Sequence, residues 1–230
     1  MGVHDGHRER LRGSFLEHGL APLSTVNALE LLLFFSIPRR DTNPIAHALL
    51  DKFGSLDAVF RASEQELCSV PGISANSAAL IKLVPELMRR SRLDAVEEIK
   101  YIHNSHEAGS YLLPRFMNEP DEVALMLCLD SSMRLIRCVE LGRGVSTAVN
   151  FTIRKLVELA VKNNASYVIM AHNHPEGIAL PSTEDDAVTQ QIYTALRVVG
   201  IELYDHIVVA QDDFVSYRDS NRLHYPPLRI

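Results

Sequence analysis

The pattern of hydrophobic and polar positions changes about halfway along the chain. From residue 26 to about residue 92, apolar residues recur at spacings of three and four, without the alternation that marks strands. This region is therefore predicted to be all-α, and Ser63 is predicted to cap one of its helices. The remaining helices of this region are predicted at 45–53, 56–60 and 75–92.

The second half of the chain contains patterns that are typical of strands. Seven apolar residues at 123–129 run into a polar turn, which predicts a buried strand with 135–141 returning beside it as a hairpin. Further strands are predicted at 167–170, 202–210 and 213–218, and amphipathic helices at 107–116, 152–163 and 182–199. The expected fold class is α+β or α/β, with a small all-α N-terminal domain followed by a mixed or mainly antiparallel sheet with flanking helices.

Domain boundaries are predicted from the same changes in pattern and from local composition. The predicted parts are a solvated leader containing His4, His7 and His18 (1–24), the helical domain (25–92), a charged linker (93–104) and the sheet domain (105–230).

The composition is that of an ordinary soluble globular protein, since 47% of the 230 residues are hydrophobic and 23% are charged. The longest apolar stretch, 29–37, contains a glutamate and is far shorter than the roughly 20 residues that a spanning helix needs, so no membrane association is expected. No secretory signal is visible, and the three cysteines have no CxxC spacing. Free thiols in a reducing compartment are the expectation, which favours a cytoplasmic location.

The charge balance limits the choice of partners. The formal net charge is -6, whereas proteins that hold nucleic acid by neutralising phosphates need clustered, excess Lys and Arg. Any DNA contact would therefore have to be local.

The candidate chemistry lies at His172-Asn173-His174, which follows a predicted strand. Residues i and i+2 of an extended backbone point to the same face, so two imidazoles can converge on one ion. Asp185, in the first turn of the next helix, can bring a carboxylate to the same ion if the intervening loop folds over. Three such ligands match a catalytic zinc that keeps its fourth position for water, and the spacing alone identifies no general base.

The same residues allow a purely structural interpretation. Ser182-x-x-Asp185 is also a helix-capping arrangement, in which the serine oxygen accepts a backbone N–H bond and the carboxylate favours the positive helix end. The neighbouring Asp186 is interpreted as a charge facing solvent.

These residues resemble a known family. His172-x-His174, seven residues and then Ser182-x-x-Asp185 is the JAMM motif of the JAB/MPN metalloprotease superfamily, and the surrounding His-Asn-His-Pro resembles its bacterial RadC branch. Other positions that match the RadC pattern are Gly144, Arg154, Asn164-Ala165, Gly200-Ile201 and Asp205-His206-Ile207-Val208.

The resemblance implies a JAB/MPN domain, similar in fold to cytidine deaminases, and a role for each residue. His172, His174 and Asp185 would hold Zn²⁺. Glu122, at the start of the first strand, would act as general acid/base, and Ser182 would help to stabilise the oxyanion. Without the family, the pattern ranks Glu122 equally with the neighbouring acidic residues Glu119 and Asp121.

Three positions depart from the usual RadC pattern: Glu176, Lys155 and Val145. None of them removes a proposed ligand, but Glu176 would change the charge near the site and hence the substrate preference.

The helical half resembles the RadC helical domain with its helix-hairpin-helix-like unit. The turn in 67–74 would present backbone N–H groups to phosphate, but Ser74 replaces its second glycine. A basic patch could support DNA contact, although a solvated helix face explains it equally well: Arg39, Arg40, Lys82, Arg89, Arg90 and Arg92.

Two functions from different classes therefore remain. The first is a zinc-dependent metallopeptidase or isopeptidase acting on a protein or peptide. The alternative is a DNA-associated repair or recombination accessory protein that uses its helical domain, with a metal domain that is structural or has lost catalysis. The sequence predicts neither the substrate nor the oligomeric state.

Overall fold

The fold comes from a computed structural model, which describes residues 5–144, 152–175 and 177–223. The chain divides into two compact units between Met88 and Arg89, within one long helix.

The first unit is helical, as the apolar spacing predicted. Its helices are α1 (Asp5–His18), α2 (Thr25–Phe34), α3 (Asn43–Phe53), α4 (Leu56–Arg61), α5 (Glu64–Cys68) and α6 (Ala75–Val96), the last of which crosses the division. The fully buried core side chains include Leu33, Leu49, Val59, Leu67 and Ile81. Ser63 begins α5 with a complete capping box, because its hydroxyl accepts from the Glu66 amide while the Glu66 carboxylate accepts from the Ser63 amide.

The turn between α5 and α6 requires a glycine. Gly72 has a φ of 98°, and a Cβ at this position would lie 2.8 Å from Cδ1 of Ile45. The turn therefore packs closely against α3.

The prediction of a solvated leader is wrong for residues 5–18, which form helix α1. Leu11 is buried with Leu31 and Phe34 of α2, and Nε2 of His7 lies 3.0 Å from Oε1 of the buried Glu30. A buried carboxylate needs polar partners, so this pair ties α1 to α2. His4 lies outside the described residues.

The second unit contains a five-stranded sheet. In chain order its elements are α7 (Ser105–Phe116), β1 (Glu122–Leu129), β2 (Leu135–Gly144), α8 (Ile153–Lys162), β3 (Tyr167–Asn173), α9 (Thr183–Val198), β4 (Glu202–Ala210) and β5 (Asp213–Ser216). The strand order is β2-β1-β3-β4-β5. Only the β3–β4 pair is parallel, which the crossover through α9 allows, so the predicted mixed sheet and α+β fold class are confirmed.

Both faces of β1 are buried, which explains its unbroken apolar sequence. Ala124, Met126 and Cys128 share one core with residues of α8 and α9. Leu125 and Leu127 belong to a second core together with residues of α7. The sheet is thus covered by helices on both sides.

Part of the predicted linker is packed against the sheet unit. Ile102 is fully buried, and its amide donates to the Met133 carbonyl in the β1–β2 turn. The Leu135 amide donates in turn to the Lys100 carbonyl.

Among the described residues, no helix is long and apolar enough to cross a membrane.

A pair of glycine substitutions tests the packing of α7 on the sheet. A Cβ at Gly109 would lie 2.3 Å from Cε1 of Phe214 in β5, so Gly109→Ala should lower the free energy of unfolding by about 1–2 kcal/mol. Gly13→Ala is the matched control, because beyond its own helix no atom of the described residues lies within 4 Å of the added methyl group, and alanine is the better helix former by about 0.5–1 kcal/mol. Urea denaturation measures both changes, and equal effects of the two variants would contradict the packing.

Candidate metal centre

Two elements bring three metal-ligating side chains together. His172 and His174 stand at the end of β3, and Asp185 lies in the first turn of α9. Nε2 of His172 lies 3.1 Å from Nε2 of His174 and 3.1 Å from Oδ1 of Asp185, and all three candidate ligand atoms lie within 4.8 Å of one another. The structure therefore brings together the three residues that the sequence proposed as ligands.

The donor geometry fits a tetrahedral metal ion. Two nitrogens bound to one zinc at about 2.0–2.1 Å lie about 3.3 Å apart, close to the separation of the two Nε2 atoms. The Nδ1 atom of each ring is engaged elsewhere. Nδ1 of His174 donates to the Ile178 carbonyl, and Nδ1 of His172 lies 2.9 Å from Nε2 of His206. Both Nε2 atoms are thus directed at the Asp185 carboxylate.

The charges in this cluster are strongly coupled. Burial raises the pKa of the Asp185 carboxyl, but its close contacts with the imidazoles of His172 and His174 outweigh burial and hold that pKa well below its usual range. The hydrogen bond with Asp185 raises the pKa of His174, although burial of the ring opposes this rise. The carboxylate therefore favours a positive charge between itself and the two imidazoles.

Ser182 forms the predicted cap of α9. Its hydroxyl accepts from the Asp185 amide at 3.1 Å and donates to Oδ2 of Asp185 at 2.7 Å, while its own amide donates to the same Oδ2 at 2.8 Å. The cap thus occupies Oδ2 of the Asp185 carboxylate, and Oδ1 faces His172. The capping interpretation and the ligand interpretation are geometrically compatible.

Strand register separates Glu122 from its acidic neighbours. Ala124 pairs with His172 in the antiparallel β1–β3 ladder, so Glu122, two residues earlier in β1, lies on the same face of the sheet as His172. The charge of Glu122 also contributes to raising the pKa of His174. Glu119 instead pairs with Arg89 and Arg143.

Asn173 holds the start of β1, a role that sequence reasoning missed. Its Oδ1 accepts from the Val123 amide at 2.7 Å, and its Nδ2 donates to the Asp121 carbonyl at 3.0 Å. These two bonds flank Glu122 on both sides. Its position between the two histidines was the only available signal in the sequence.

His206 and Thr189 also lie beside the cluster, although the sequence proposed neither of them as a site residue. Nδ1 of His206 lies 2.6 Å from the hydroxyl oxygen of Thr189, and its ring stacks on Tyr217 with centroids 4.8 Å apart. Burial lowers the pKa of His206 well below its usual value. Burial therefore favours the neutral form of this ring.

Of the three positions that depart from the family pattern, the structure describes Lys155. Nζ of Lys155 donates to the Leu141 carbonyl at 2.9 Å, which ties α8 to β2. Val145 and Glu176 lie outside the described residues.

Comparisons with known proteins agree with this fold. A family model described as the RadC-like JAB domain matches residues 102–222. A UPF0758 protein of Paraburkholderia xenovorans is 33% identical over 213 residues, which cover 93% of this chain and 83% of the relative. UPF0758 proteins of Fusobacterium nucleatum and Aromatoleum aromaticum are 34% and 36% identical, over 92% and 87% of this chain and 94% and 89% of their own lengths.

The role of Asn173 can be tested by amide exchange. Asn173→Ala leaves the buried Val123 N–H without its acceptor, so we expect a loss of about 1–3 kcal/mol in unfolding free energy and faster hydrogen exchange at Val123. Asn163→Ala is the control, because its side chain donates to the Leu159 carbonyl within its own helix end, away from β1. Unchanged exchange at Val123 in Asn173→Ala would show that Asn173 does not hold β1.

Proposed function

Because the chain belongs to the RadC family of JAB-domain proteins, we propose that it is a zinc-dependent metallopeptidase or isopeptidase that hydrolyses an amide bond in a protein or peptide. The main support is the convergence of His172, His174 and Asp185 on one point, with Glu122 on the same face of the sheet. This arrangement combines a metal-ligand set with a carboxylate suited to proton transfer.

His172, His174 and Asp185 would hold the metal ion, and their donor set of two imidazoles and one carboxylate is of the kind found in catalytic zinc sites. Zinc held in this way would polarise the amide carbonyl and lower the pKa of a coordinated water to about 7. The three protein ligands leave a position open for the reacting molecules.

Glu122 is proposed as the general acid/base. Its carboxylate would accept a proton from the attacking water and deliver it to the nitrogen of the leaving amine. Its place at the strand entrance is set by the β1–β3 register and by the two hydrogen bonds of Asn173.

Ser182 is proposed as the residue that stabilises the oxyanion. In the structure its single hydroxyl proton is donated to Oδ2 of Asp185. To act on the oxyanion the hydroxyl must turn away from Oδ2, which keeps its bond from the Ser182 amide. The cap can therefore persist during such a rotation.

The alternative, a DNA-associated protein, has weaker support. Lys82 donates to carbonyls at the end of α4, including those of Phe60 and Ala62. The other paired cations of the proposed patch are Arg89 with Glu119, Arg90 with Asp94 and Arg92 with Asp212. Side chains with such partners would have to exchange them for phosphate.

A metal domain that has lost catalysis is also disfavoured, since all five proposed site residues are present.

Metal analysis tests the ligand set. The purified protein should bind close to one zinc ion per chain, and His172→Ala combined with His174→Ala should abolish this binding because two of the three ligands are lost. The control combines His47→Ala with His106→Ala, two exposed histidines, and should retain zinc. Elemental analysis after dialysis gives the stoichiometry, and equal zinc content in both double variants would refute the assignment.

Substitution of Glu122 separates catalysis from metal binding. Glu122→Gln should retain zinc but reduce hydrolysis by a factor of about 10²–10⁴, because the amide cannot accept the proton of water. Glu202→Gln is a matched control, since Glu202 also opens a strand but pairs with Tyr167 at the far end of β3. New amino groups released from a library of peptides and lysine isopeptides can be counted by mass spectrometry. Equal turnover in Glu122→Gln and wild type would exclude Glu122 as the base.

A further inference from the structure

We propose that His206 and Thr189 are positioning residues that determine which ring nitrogen of His172 is presented to the metal. This inference rests on the proposed function, because it takes His172 as a metal ligand. It assigns roles to two residues that are neither proposed ligands nor the proposed catalytic residues Glu122 and Ser182.

The direction of the hydrogen bonds begins at Thr189. Its hydroxyl oxygen lies 2.6 Å from the Asp185 carbonyl oxygen and 2.6 Å from Nδ1 of His206. A carbonyl can only accept, so the single hydroxyl proton of Thr189 is donated to Asp185. The hydroxyl oxygen must then accept from His206, and the proton of the His206 ring lies on Nδ1.

The same argument continues to His172. The His206 ring is buried against His172, Thr189 and Tyr217, where an unpaired charge would be costly, so it carries one proton, already placed on Nδ1, and its Nε2 is an acceptor. Nε2 lies 2.9 Å from Nδ1 of His172, which must therefore be the donor. His172 then has a proton on Nδ1 and a lone pair on Nε2, the atom that lies 3.1 Å from Oδ1 of Asp185. Metal coordination requires such a lone pair.

These hydrogen bonds connect two of the proposed ligands through three elements. His172 belongs to β3, His206 to β4, and Thr189 to α9, where it lies one turn after Asp185. The contacts form a closed circuit. They lead from His172 through His206 and Thr189 to the Asp185 backbone, and the Asp185 carboxylate contacts His172 again. The network therefore sets the spacing of β3 and α9 as well as the tautomer.

The burial of His206 makes the arrangement rigid. Its ring is 3% exposed and stacks on Tyr217 with an interplanar angle of 17°. The His206 carbonyl accepts from the Tyr217 amide at 2.9 Å, which fixes the backbone beside the ring. A flipped ring or the other tautomer would place like groups, two protons or two lone pairs, against each other in the core.

The test compares two substitutions that differ by one hydroxyl group. Thr189→Val removes the acceptor of the His206 Nδ1 proton, whereas Thr189→Ser keeps it. Thr194→Val is a matched control, because Thr194 also donates to the carbonyl four residues earlier in α9 but lies exposed. His206→Phe keeps an aromatic ring against Tyr217 and removes the partner of His172.

Two measurements are made on the full chain. Long-range ¹H–¹⁵N spectra of the metal-free protein, at a pH well above the ordinary pKa of histidine, identify the protonated nitrogen of each ring. Competition with a zinc chelator gives the zinc affinity. We expect the rings of His172 and His206 to carry the proton on Nδ1 in wild type, Thr189→Ser and Thr194→Val. Zinc affinity should fall about 10–100-fold in His206→Phe and about tenfold in Thr189→Val.

The outcomes separate this inference from the proposed function. Unchanged tautomers and unchanged zinc affinity in Thr189→Val would overturn the positioning role while leaving the metal site intact. If His206→Phe fails to fold, the Thr189 pair still decides the question. A wild-type protein that binds no zinc but has both protons on Nδ1 would refute the proposed function and keep the hydrogen-bond network.

Discussion

The antiparallel register between β1 and β3 is the constraint on which the candidate site depends. Pairing of Ala124 with His172 places Glu122 on the same face of the sheet as His172, and the side chain of Asn173 extends the ladder through bonds to Val123 and Asp121. A slip of one residue would turn Glu122 to the opposite face of the sheet. Burial of β1 on both faces makes such a slip costly, because its apolar residues fill two different cores.

The second requirement is that the beginning of α9 returns to the end of β3. The capping box holds Oδ2 of Asp185 and aims Oδ1 at His172, so an interaction that stabilises the helix also orients a proposed ligand. Negative charge at a helix N-terminus is itself favourable, which offsets part of the penalty of burying a carboxylate. The protein thus uses one local motif for folding and for chemistry.

Sequence reasoning succeeded where the signal was periodic or local. The apolar run of β1 and the stripe of α8 predicted their elements to within a few residues, and Ser63 and Ser182 were identified as caps from their own motifs. It failed where a polar stretch is held by few contacts. Helix α1 contains a single buried leucine, and its pairing of His7 with Glu30 joins residues 23 positions apart. No periodicity reports such a contact.

By itself, the sequence determined the types of the elements, the mixed character of the sheet domain and the identity of the three possible ligands, because spacing along a strand or a helix turn dictates which side chains share a face. It could not distinguish Glu122 from Glu119 and Asp121, and it gave no reason to connect His206 and Thr189 with His172. Only the tertiary structure decided these points. Strand register and hydrogen-bond direction depend on atoms that lie 17 to 50 residues apart along the chain and meet only when β1, β3, β4 and α9 are packed together.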